Sequence, residues 1–591
     1  MYIREFLTHD MVALLWLVVG VLILFSIGYL GYSKYLAGFV GLDEDAETPA
    51  HKYEDGQEYV PAKKPVLLGH HYSSIAGGAP IVGPITAGLL WGWLPAVLWI
   101  AIGNPLMGAV HDFVSLSASL KHEGRSIGYI IGEYVGDEGK NLLLWFAFLT
   151  IILVVAVFAF VVGLVFQQYP SAATASILYI GLALLFGVYL YQLDLPFIPG
   201  TVIFVSLVFV SVFVGLEFPI QLSQQQWIPI VLIYSLIASV LPVWTLLQPR
   251  DYLSSFLLYA GVGGALVAVI VGTVLGPYLG AVSPSQPLVT NIPAFTGFGG
   301  NSTLGAFSPL FPMLFVTIAC GTISGFHSLV SSGTTSKQLN KETDARLIGY
   351  GGMLGEGLLA TLSLCAVAVV GVTASDATGG VGLALPKFAE GGGIFLSSLG
   401  IPASFGAPFM ALVMVSFLLT STDTALRLGR YLFEEIIGTP ETQVQEAASN
   451  RYVNSFGQCV VAYVLIASGT WTPLWQLFGS ANQLLAALAL LTGTVWLANW
   501  SEKKQLLSTG VPMAIMSAIT VCALVYLEYY QNLYQGLILG NSSSATWSLA
   551  LQIVIGTVLI ILALSLLNKG VTNVREARGK RPAATDGGVD E

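Results

Sequence analysis

The sequence predicts an all-α membrane protein that crosses the bilayer many times. The chain has 591 residues, of which 55% are hydrophobic and only 9% are charged. Soluble domains carry about 25% charged residues, so this chain lacks the charge to cover a water-exposed surface. Long apolar runs recur, each of the length that a helix needs to cross the hydrocarbon core. The lipid bilayer is therefore the expected environment. With a net charge of −10, the chain lacks the excess of basic residues that is typical of nucleic-acid-binding proteins.

Apolar runs and the turns between them divide the chain into fifteen expected membrane segments. Threading the segments alternately places all but Arg4 and Lys387 of the 23 basic residues on one side. Because positive charge marks the cytoplasm, the amino terminus is expected outside and the carboxyl terminus inside. The expected segments are 11–40, 66–91, 93–118, 141–168, 174–192, 197–216, 227–247, 253–276, 308–331, 348–373, 404–424, 452–468, 472–499, 511–530 and 547–567.

This threading predicts four regions along the chain. The first helix lacks a basic leader and a cleavage site, so it is expected to be retained rather than removed as a signal peptide. Two uncharged or Gly-rich stretches, 277–307 and 374–403, are expected to be outer loops. The predicted regions are an extra amino-terminal helix (1–41), a ten-helix core (66–424), four further helices (425–567) and a disordered cytoplasmic tail (568–591).

Two of the segments contain residues that interrupt a helix. Residues 69–84 (GHHYSSIAGGAPIVGP) hold a Gly-Gly pair and two prolines. Residues 239–253 (SVLPVWTLLQPRDYL) hold Pro242, which is expected near the middle of its helix, and Pro249, which is expected at the cytoplasmic end. A broken membrane helix is tolerated only where its backbone is buried in protein or lines a wet cavity. Such breaks form the substrate sites of many secondary transporters.

The two interrupted helices also lead two sets of five segments. Counted from residue 66, segments 66–216 and 227–424 enter the membrane from opposite sides, which is typical of an inverted five-plus-five repeat. Free helix ends offer amides to a carboxylate and carbonyls to a cation. Kinks that serve packing alone are the alternative. The expected substrate-binding residues are Ser73, Ser74, Ala76, Gly77, Gly78, Leu241, Pro242, Val243 and Trp244.

Titratable and hydroxyl side chains inside the segments indicate ion coupling. Histidine titrates in the physiological range, and a carboxylate within a membrane segment is a functional candidate. Hydroxyls suit a hard cation or a proton relay. The alternatives are packing histidines, an interfacial helix cap at Asp112, and hydroxyls that bond back to their own helix. The expected ion-coupling residues are His70, His71, His111, Asp112, His327, Ser328, Ser331, Ser332, Thr335 and Glu356.

Three further groups of residues are interpreted as structural. Asp423 and Arg427 are spaced i,i+4 and are expected to form an ion pair. Asn482 and Gln483 are expected to bond between helices. The cysteines form no Cys-x-x-Cys pair and are expected to be packing residues, so no metal site and no cofactor are expected. These cysteines are Cys320, Cys365, Cys459 and Cys522.

Several motifs resemble the carbon starvation protein A (CstA) family, and the resemblance extends from about residue 10 to 567. These motifs are GHHYSSIAGGAPIVGP, GAVHDF, VLPVWTLLQPRDYL, LFPMLFVTIACGTISGFHSLVSSGTT, IGYGGML and LFGSANQ. The resemblance implies a bacterial or archaeal inner-membrane transporter for peptides or pyruvate, linked to carbon starvation. It implies the inverted-repeat fold of the amino acid–polyamine–cation superfamily, with substrate held by the first and sixth core helices. Ser331, Ser332 and Thr335 would then face the first helix at an ion site.

The expected function is a secondary active symporter that imports a small carboxylate-bearing nutrient with protons or sodium. The outer loops are more compact than in longer family members, which leaves peptide and pyruvate both open. No Walker, zincin or nucleophile-elbow motif is present, so no enzyme is expected. The alternatives are a nutrient sensor that does not transport and an electron-transfer subunit. The latter would bind metal or haem through His70, His71, His111 and His327.

Overall fold

The computed structural model describes residues 12–56, 58–242, 244–276, 278, 284–301, 308–371, 384–468, 471–500, 506–542 and 544–577. Within these ranges the regular structure is helical, and the β pairing consists of two isolated bridges. The helices of eight residues or more are α1 (Leu14–Val40), α2 (Lys64–Ile75), α3 (Ala79–Trp91), α4 (Trp93–Lys121), α5 (Ile127–Val135), α6 (Asp137–Gln168), α7 (Pro170–Tyr191), α8 (Phe197–Glu217), α9 (Gln224–Val240), α10 (Leu247–Val274), α11 (Leu310–Thr317), α12 (Gly325–Gly333), α13 (Glu342–Val370), α14 (Ala384–Ser397), α15 (Ala403–Ile437), α16 (Arg451–Ser468), α17 (Trp471–Trp500), α18 (Leu506–Ile538) and α19 (Thr546–Glu576).

Eleven of the described helices are long and apolar enough to cross a membrane, and α2 with α3 forms a twelfth span if the bent pair counts as one. The multi-pass, all-α prediction is therefore confirmed. A helix is present at each of the fifteen predicted places, but three places lack a helix that meets the criteria for a span. These places hold α9, which has 17 residues, the short helices α11 and α12, and α16.

The helices differ in how much of their length the protein itself buries. The most apolar stretch of α17 is wholly buried inside the protein, and that of α6 is 83% buried. In α8 only 22% of the corresponding stretch is buried. α6 packs along α15, and α17 packs against α6 and α12. The last helices of the chain thus belong to the same packed body as the rest. The apolar face of α8 is left for lipid.

Two predicted irregular regions contain helix. In the expected outer loop 374–403 the structure has α14, because its apolar face packs on α15 and Gly392 sits against Met410. Residues 372–383 lie outside the described residues. In the expected disordered tail, α19 continues to Glu576. It is held there by a hydrogen bond from Asn573 Nδ2 to Tyr134 O, at 2.7 Å. Residues 578–591 lie outside the described part.

Candidate functional site

The chain between Lys64 and Trp91 is broken near its middle, as the sequence predicts. α2 ends at Ile75, and Ala76 leaves the helix with φ −74° and ψ 62°. Gly77 N then donates to Ile75 O over 2.8 Å. α3 begins at Ala79 and carries Pro80 in its first turn, where the missing N–H costs no helix bond. The axes of α2 and α3 differ by 48°.

The two glycines of this break allow the main chain to approach α15 closely. A Cβ atom at Gly77 would lie 3.0 Å from Ser421 Oγ and 3.1 Å from the Phe158 ring. At Gly78 a Cβ atom would lie 2.4 Å from Leu418 Cδ2. Ser421 Oγ also donates to Ser74 O over 3.3 Å. The unwound chain is therefore enclosed by side chains of α6 and α15.

A second break, which the sequence analysis treated as one continuous segment, lies directly against the first. The predicted helix 308–331 is divided into α11 and α12 by the non-helical residues 318–324. A Cβ atom at Gly83 would lie 2.4 Å from Thr317 O, and one at Gly321 would lie 3.7 Å from Pro80 Cα. The main chains of the two broken regions are therefore in contact. Gly321 and Gly325, in the run IACGTISG, are the signal in the sequence for this break.

Asn482 and Gln483 of α17 hold the second break, which confirms the prediction that both amides bond between helices. Asn482 Oδ1 accepts from Phe326 N at 2.9 Å, and its Nδ2 donates to Ser324 Oγ at 3.0 Å. Gln483 Nε2 donates to Phe315 O at 2.8 Å. These bonds satisfy main-chain and hydroxyl groups that the interruption of the helix leaves free.

The interruption predicted near Pro242 is present between α9 and α10. α9 ends at Val240, Leu241 is extended, and the helix resumes at Leu247. Pro242 is exposed. Trp244 packs beside Tyr191 and lines a cavity of about 220 Å³ together with Gly56, Val60 and Gln248. Val243 lies outside the described residues. Trp244 therefore lines a separate surface cavity, and the substrate role of Leu241, Pro242 and Trp244 stays a prediction.

Arg427 explains how the Leu241 region tolerates its interruption. Its NH2 donates to Ala238 O at 2.9 Å and to Leu241 O at 2.7 Å, the carbonyls that the end of α9 leaves without helical partners. Arg427 lies six residues beyond Ser421 on α15, which is about 9 Å along the helix. The predicted Asp423–Arg427 ion pair is wrong, because Asp423 pairs with Arg250.

The first buried network joins α2, α10 and α15. His70 Nδ1 lies 2.9 Å from Asp251 Oδ2, and Arg250 NH2 donates to Asp251 Oδ1 over 2.9 Å. The Arg250 guanidinium also bonds both carboxylate oxygens of Asp423, and its NH1 donates to Tyr234 Oη at 2.8 Å. His70 is 6% exposed, and Arg250 and Asp251 are fully buried. A network of this kind is expensive to bury, so its charges need to balance.

Arg250 and Asp251 are not among the predicted site residues, because Pro249 was expected at the end of a helix. In the structure Pro249 lies in the first turn of α10, where proline is tolerated, and the helix continues inward. The adjacent Arg-Asp pair therefore lies inside the protein rather than at the cytoplasmic interface. An Arg-Asp pair that follows a proline close to a long apolar run was the available signal.

The second buried network contains most of the predicted ion-coupling residues. Asp112 bonds two histidines, through Oδ1 to His111 Nδ1 at 2.7 Å and through Oδ2 to His327 Nδ1 at 2.9 Å. His327 Nε2 lies 3.4 Å from Glu356 Oε2. His71 Nδ1 lies 2.9 Å from Thr335 Oγ1, and its ring lies against Gly352. Asp112 is fully buried, so it is not an interfacial cap.

The predicted hydroxyls on α12 divide into two groups. Ser328 donates to Gly325 O and Ser332 donates to Ser328 O, both at 2.7 Å, which is bonding back to the same helix. Ser331 Oγ is buried without a hydrogen-bond partner in the described part of the chain. The structure does not combine Ser328, Ser331, Ser332 and Thr335 into one cluster of free oxygens.

Several other buried polar atoms near the breaks lack hydrogen-bond partners within the described ranges. Leaving a buried polar group without a partner costs about 1–3 kcal/mol, so such atoms mark places that a polar ligand can satisfy. These atoms are Ser73 Oγ, Ser74 Oγ, His70 Nε2, His71 Nε2, His111 Nε2, His327 Nε2 and both Glu356 carboxylate oxygens.

The four histidines of the electron-transfer alternative do not form a shared ligand set. His111 and His327 share Asp112, whereas His70 bonds Asp251 and His71 bonds Thr335. Among the described residues, the ligand atoms that do converge belong to Cys320, His327 and Glu356. The structure therefore offers no haem site built from these four histidines.

The comparisons with known proteins agree on the family. A family model described as carbon starvation protein CstA matches residues 13–380 and 371–523. This chain belongs to the carbon starvation protein CstA family. Peptide transporter CstA of Helicobacter pylori is 33% identical over 579 residues, which cover 86% of this chain and 81% of that protein. Pyruvate/proton symporter BtsT of Escherichia coli is 31% identical over 601 residues, which cover 87% and 81%.

A solved manganese transporter of Eremococcus coleocola, in complex with a bis-isothiourea compound, covers 89% of this CstA-family chain. The alignment includes 99% of that chain, with a TM-score of 0.48 and 13% sequence identity. The apolar helices and the bacterial transporter relatives show that this CstA-family chain is a multi-pass inner-membrane protein. Its relatives are named as transporters.

Proposed function

We propose that this CstA-family protein is a proton-coupled secondary transporter that imports a small carboxylate-bearing nutrient, a peptide or pyruvate. The observation that carries the proposal is the main-chain contact of α3, which follows the break at 76–78, with the break at 318–324: Pro80 lies against Gly321, and Gly83 lies against Thr317 O. Interrupted helices that meet inside the membrane are how many transporters bind a polar substrate. The printed names of the peptide transporter and pyruvate/proton symporter relatives support the same class.

The amino-terminal end of α3 is the proposed site for the substrate carboxylate. The amides of a first helical turn have no partners within the helix, and the helix dipole favours negative charge there. The Ser73 and Ser74 hydroxyls lie directly before this end and are fully buried, with no hydrogen-bond partner in the described part of the chain. Two hydroxyls and a helix end together suit the carboxylate that peptides and pyruvate share.

His70 is the proposed proton carrier, because its protonation balances the first network. Its hydrogen-bonded groups Arg250, Asp251 and Asp423 carry one positive and two negative charges. These four hydrogen-bonded groups sum to zero charge when His70, which bonds Asp251, also carries a positive charge. Arg427 is one turn beyond Asp423, and it donates to the carbonyls of Ala238 and Leu241. A buried network strongly favours neutrality, so proton binding stabilises this arrangement.

Proton and substrate would act on the two halves of one broken span, α2 and α3. His70 lies on α2 six residues before Ala76, where the first break begins. Loss of the proton weakens the attachment of α2 to α10, and loss of the substrate frees the end of α3. Alternating access would then arise from rocking of α2 and α3 against the scaffold of α6 and α15. The printed name of the pyruvate/proton symporter relative favours the proton over sodium.

The same proposal includes an inverted five-plus-five core of the amino acid–polyamine–cation superfamily, with the amino terminus outside and the carboxyl terminus inside. Within this core, α11 with α12, rather than α9, contacts α3 through its main chain. Basic residues predominate on one predicted side of the membrane, which supports the orientation.

Uptake by purified protein in proteoliposomes tests the proposal. Labelled pyruvate and a labelled dipeptide are offered with an inward proton gradient, with a sodium gradient, or with no gradient. We expect accumulation of at least one substrate with the proton gradient alone. Accumulation that requires sodium, or no gradient-driven uptake of either substrate, would overturn it.

A variant of His70 tests the coupling step. His70→Gln keeps a side chain that can donate to Asp251 but removes the titratable group, so exchange of labelled substrate should persist while proton-driven accumulation is lost. Glu528→Gln is the matched control, because Glu528 is a fully buried carboxyl on α18 whose Oε2 accepts from Asn532. Proton-driven accumulation that survives in His70→Gln would exclude this residue as the carrier.

A further inference from the structure

Three metal-binding side chains converge beside the break at 318–324. Cys320 lies within the break, His327 is on α12, and Glu356 is on α13. One ligand atom of each lies within 4.8 Å of the others, and all three side chains are buried. The thiol, imidazole and carboxylate are the three ligand types that zinc uses in proteins.

The orientation of His327 matches that of a metal-binding histidine. Its Nδ1 bonds the Asp112 carboxylate at 2.9 Å, which leaves the Nε2 lone pair directed away from Asp112. Metal-bound histidines commonly have such a carboxylate partner on the other ring nitrogen. Nε2 lies 3.4 Å from Glu356 Oε2, and within the described ranges neither atom has a hydrogen-bond partner. Two electron-pair donors that face each other in this way need a proton or a cation between them.

Two polar side chains contact the Cys320 sulfur. Asn482 Nδ2 donates to Cys320 Sγ at 3.3 Å, and the thiol donates to Ser324 Oγ at 3.4 Å. A sulfur ligand with an imidazole selects a zinc-class transition metal, whereas sodium, magnesium and calcium prefer oxygen ligands throughout. The composition of the cluster therefore differs from that of a coupling-ion site.

We infer that Cys320, His327 and Glu356 bind one divalent transition-metal ion of the zinc class. Metal–ligand bonds of about 2.0–2.3 Å in a tetrahedron place the ligand atoms about 3.5 Å apart. His327 Nε2 and Glu356 Oε2, 3.4 Å apart, already have this separation, and an approach of at most about 1.3 Å brings all three ligand atoms to it. The thiol gives up its proton to solvent when the metal binds, and the fourth position stays open.

A cavity lies near the site on the predicted cytoplasmic side. Leu329, Ser332 and Gly333, on the same helix as His327, line this space of about 500 Å³, and none of the three ligands does. A bound metal would join α12, the break and α13. It would therefore tie the break, which contacts α3, to two neighbouring helices. This inference does not depend on the proposed substrate or on the coupling ion.

Metal binding to the purified full-length protein, stripped of metal, tests the inference. We expect one zinc ion per chain, and X-ray absorption of the zinc-loaded wild type should show one sulfur neighbour at about 2.3 Å. Cadmium should give a thiolate-to-metal absorption band. Cys320→Ser should abolish that band, whereas Cys365→Ser should retain it, because Cys365 is a buried thiol on α13 outside the cluster. Asp112→Asn should weaken zinc binding about 10- to 100-fold.

Three results would overturn the inference. They are no stoichiometric zinc binding by the wild type, a zinc shell without sulfur, or unchanged cadmium absorption in folded Cys320→Ser. If Cys320→Ser does not fold, the absorption spectrum of the wild type decides the question by itself. Because the readouts are binding and ligand identity, a negative result leaves the proton-coupled uptake proposal standing. Failed uptake likewise leaves the metal site intact.

Discussion

His70 and His71 are neighbours in the chain, yet their imidazoles join different buried networks. His70 Nδ1 lies 2.9 Å from Asp251 Oδ2, whereas His71 Nδ1 lies 2.9 Å from Thr335 Oγ1. Successive residues on a helix point about 100° apart, so α2 presents one ring to α10 and the other to the segment after α12. A small tilt of α2 therefore alters both networks at once.

The first prediction concerns the close approach of the chain at Gly77. Gly77→Leu should insert normally but lose about 90% or more of uptake, because the side chain would displace Ser421 and Phe158. Overpacking of this kind costs about 1–3 kcal/mol. Gly181→Leu is the control, since a Cβ atom there meets nothing within 4 Å. Uptake by Gly77→Leu that equals that of the control would refute the requirement for glycine.

The second prediction concerns the guanidinium of Arg250. Arg250→Met should lower the yield of folded protein and the thermal unfolding midpoint, because Asp251 and Asp423 would both remain buried without their cation. Breaking a buried ion pair costs about 3–5 kcal/mol. Lys341→Met breaks the exposed pair with Glu44, which should leave the midpoint nearly unchanged because water screens that pair. Equal midpoints for the two variants would show that the buried network contributes no stability.

The third prediction concerns the carbonyls at the end of α9. Arg427→Met should destabilise the Leu241 region by about 1–3 kcal/mol, because Ala238 O and Leu241 O lose their donor. Limited proteolysis should then cut near residue 242, where the chain is already exposed. Arg451→Met is the control, because Arg451 is exposed on α16. Identical cleavage of both variants would count against this capping role.

The fourth prediction concerns pH and the pair formed by Glu58 and Lys337 outside the membrane segments. Burial raises the pKa of Glu58, but the Lys337 ammonium 2.8 Å away outweighs it and holds the pKa below the ordinary 4.5. Burial lowers the pKa of Lys337, and the charge of Glu58 more than offsets this and raises it above 10.5. The pair therefore contributes stability between about pH 4.5 and 10.5, and loses it as the pH moves beyond either limit through the shifted pKa.

Thermal unfolding midpoints between pH 7 and pH 3 test this expectation. The wild type should lose stability more steeply on acidification than Glu58→Gln, which has no carboxyl group to protonate at this position. Glu54→Gln, an exposed change on the same loop, should follow the wild type. Parallel acid profiles of the wild type and Glu58→Gln would rule out a contribution from the pair.

Local backbone chemistry predicted the break at 76–78, because Gly-Gly followed by proline disfavours a continuous helix wherever it occurs. The break at 318–324 has weaker local signals. It depends on Asn482 and Gln483, which lie more than 150 residues away and satisfy its free groups. A single sequence does not contain that tertiary compensation. The interruption near Pro242 is stabilised in the same way, since Arg427, 186 residues away, donates to Leu241 O.

For the polar residues too, burial could be predicted from the sequence, whereas the pairing partners could not. Composition and helical position identified His111, Asp112, His327 and Glu356 as buried and important, and the structure brings them together. Which residue pairs with which was not predictable. The i,i+4 rule favoured Asp423 with Arg427, but Arg250 of another helix approaches Asp423 through the interior. Contacts between helices outweigh spacing along one helix where charges are buried.

Asn482 gives the carboxyl-terminal third of the chain a role beyond wrapping the core. Its amide spans the interruption by accepting from Phe326 N and donating to Ser324 Oγ. Any rotation of α17 must therefore either carry α12 with it or give up those bonds. The helices that follow the core, α17 among them, thus control how easily residues 318–324 can change conformation. Under the proposed mechanism, substitutions far from the substrate site can therefore alter the transport rate without contacting the substrate.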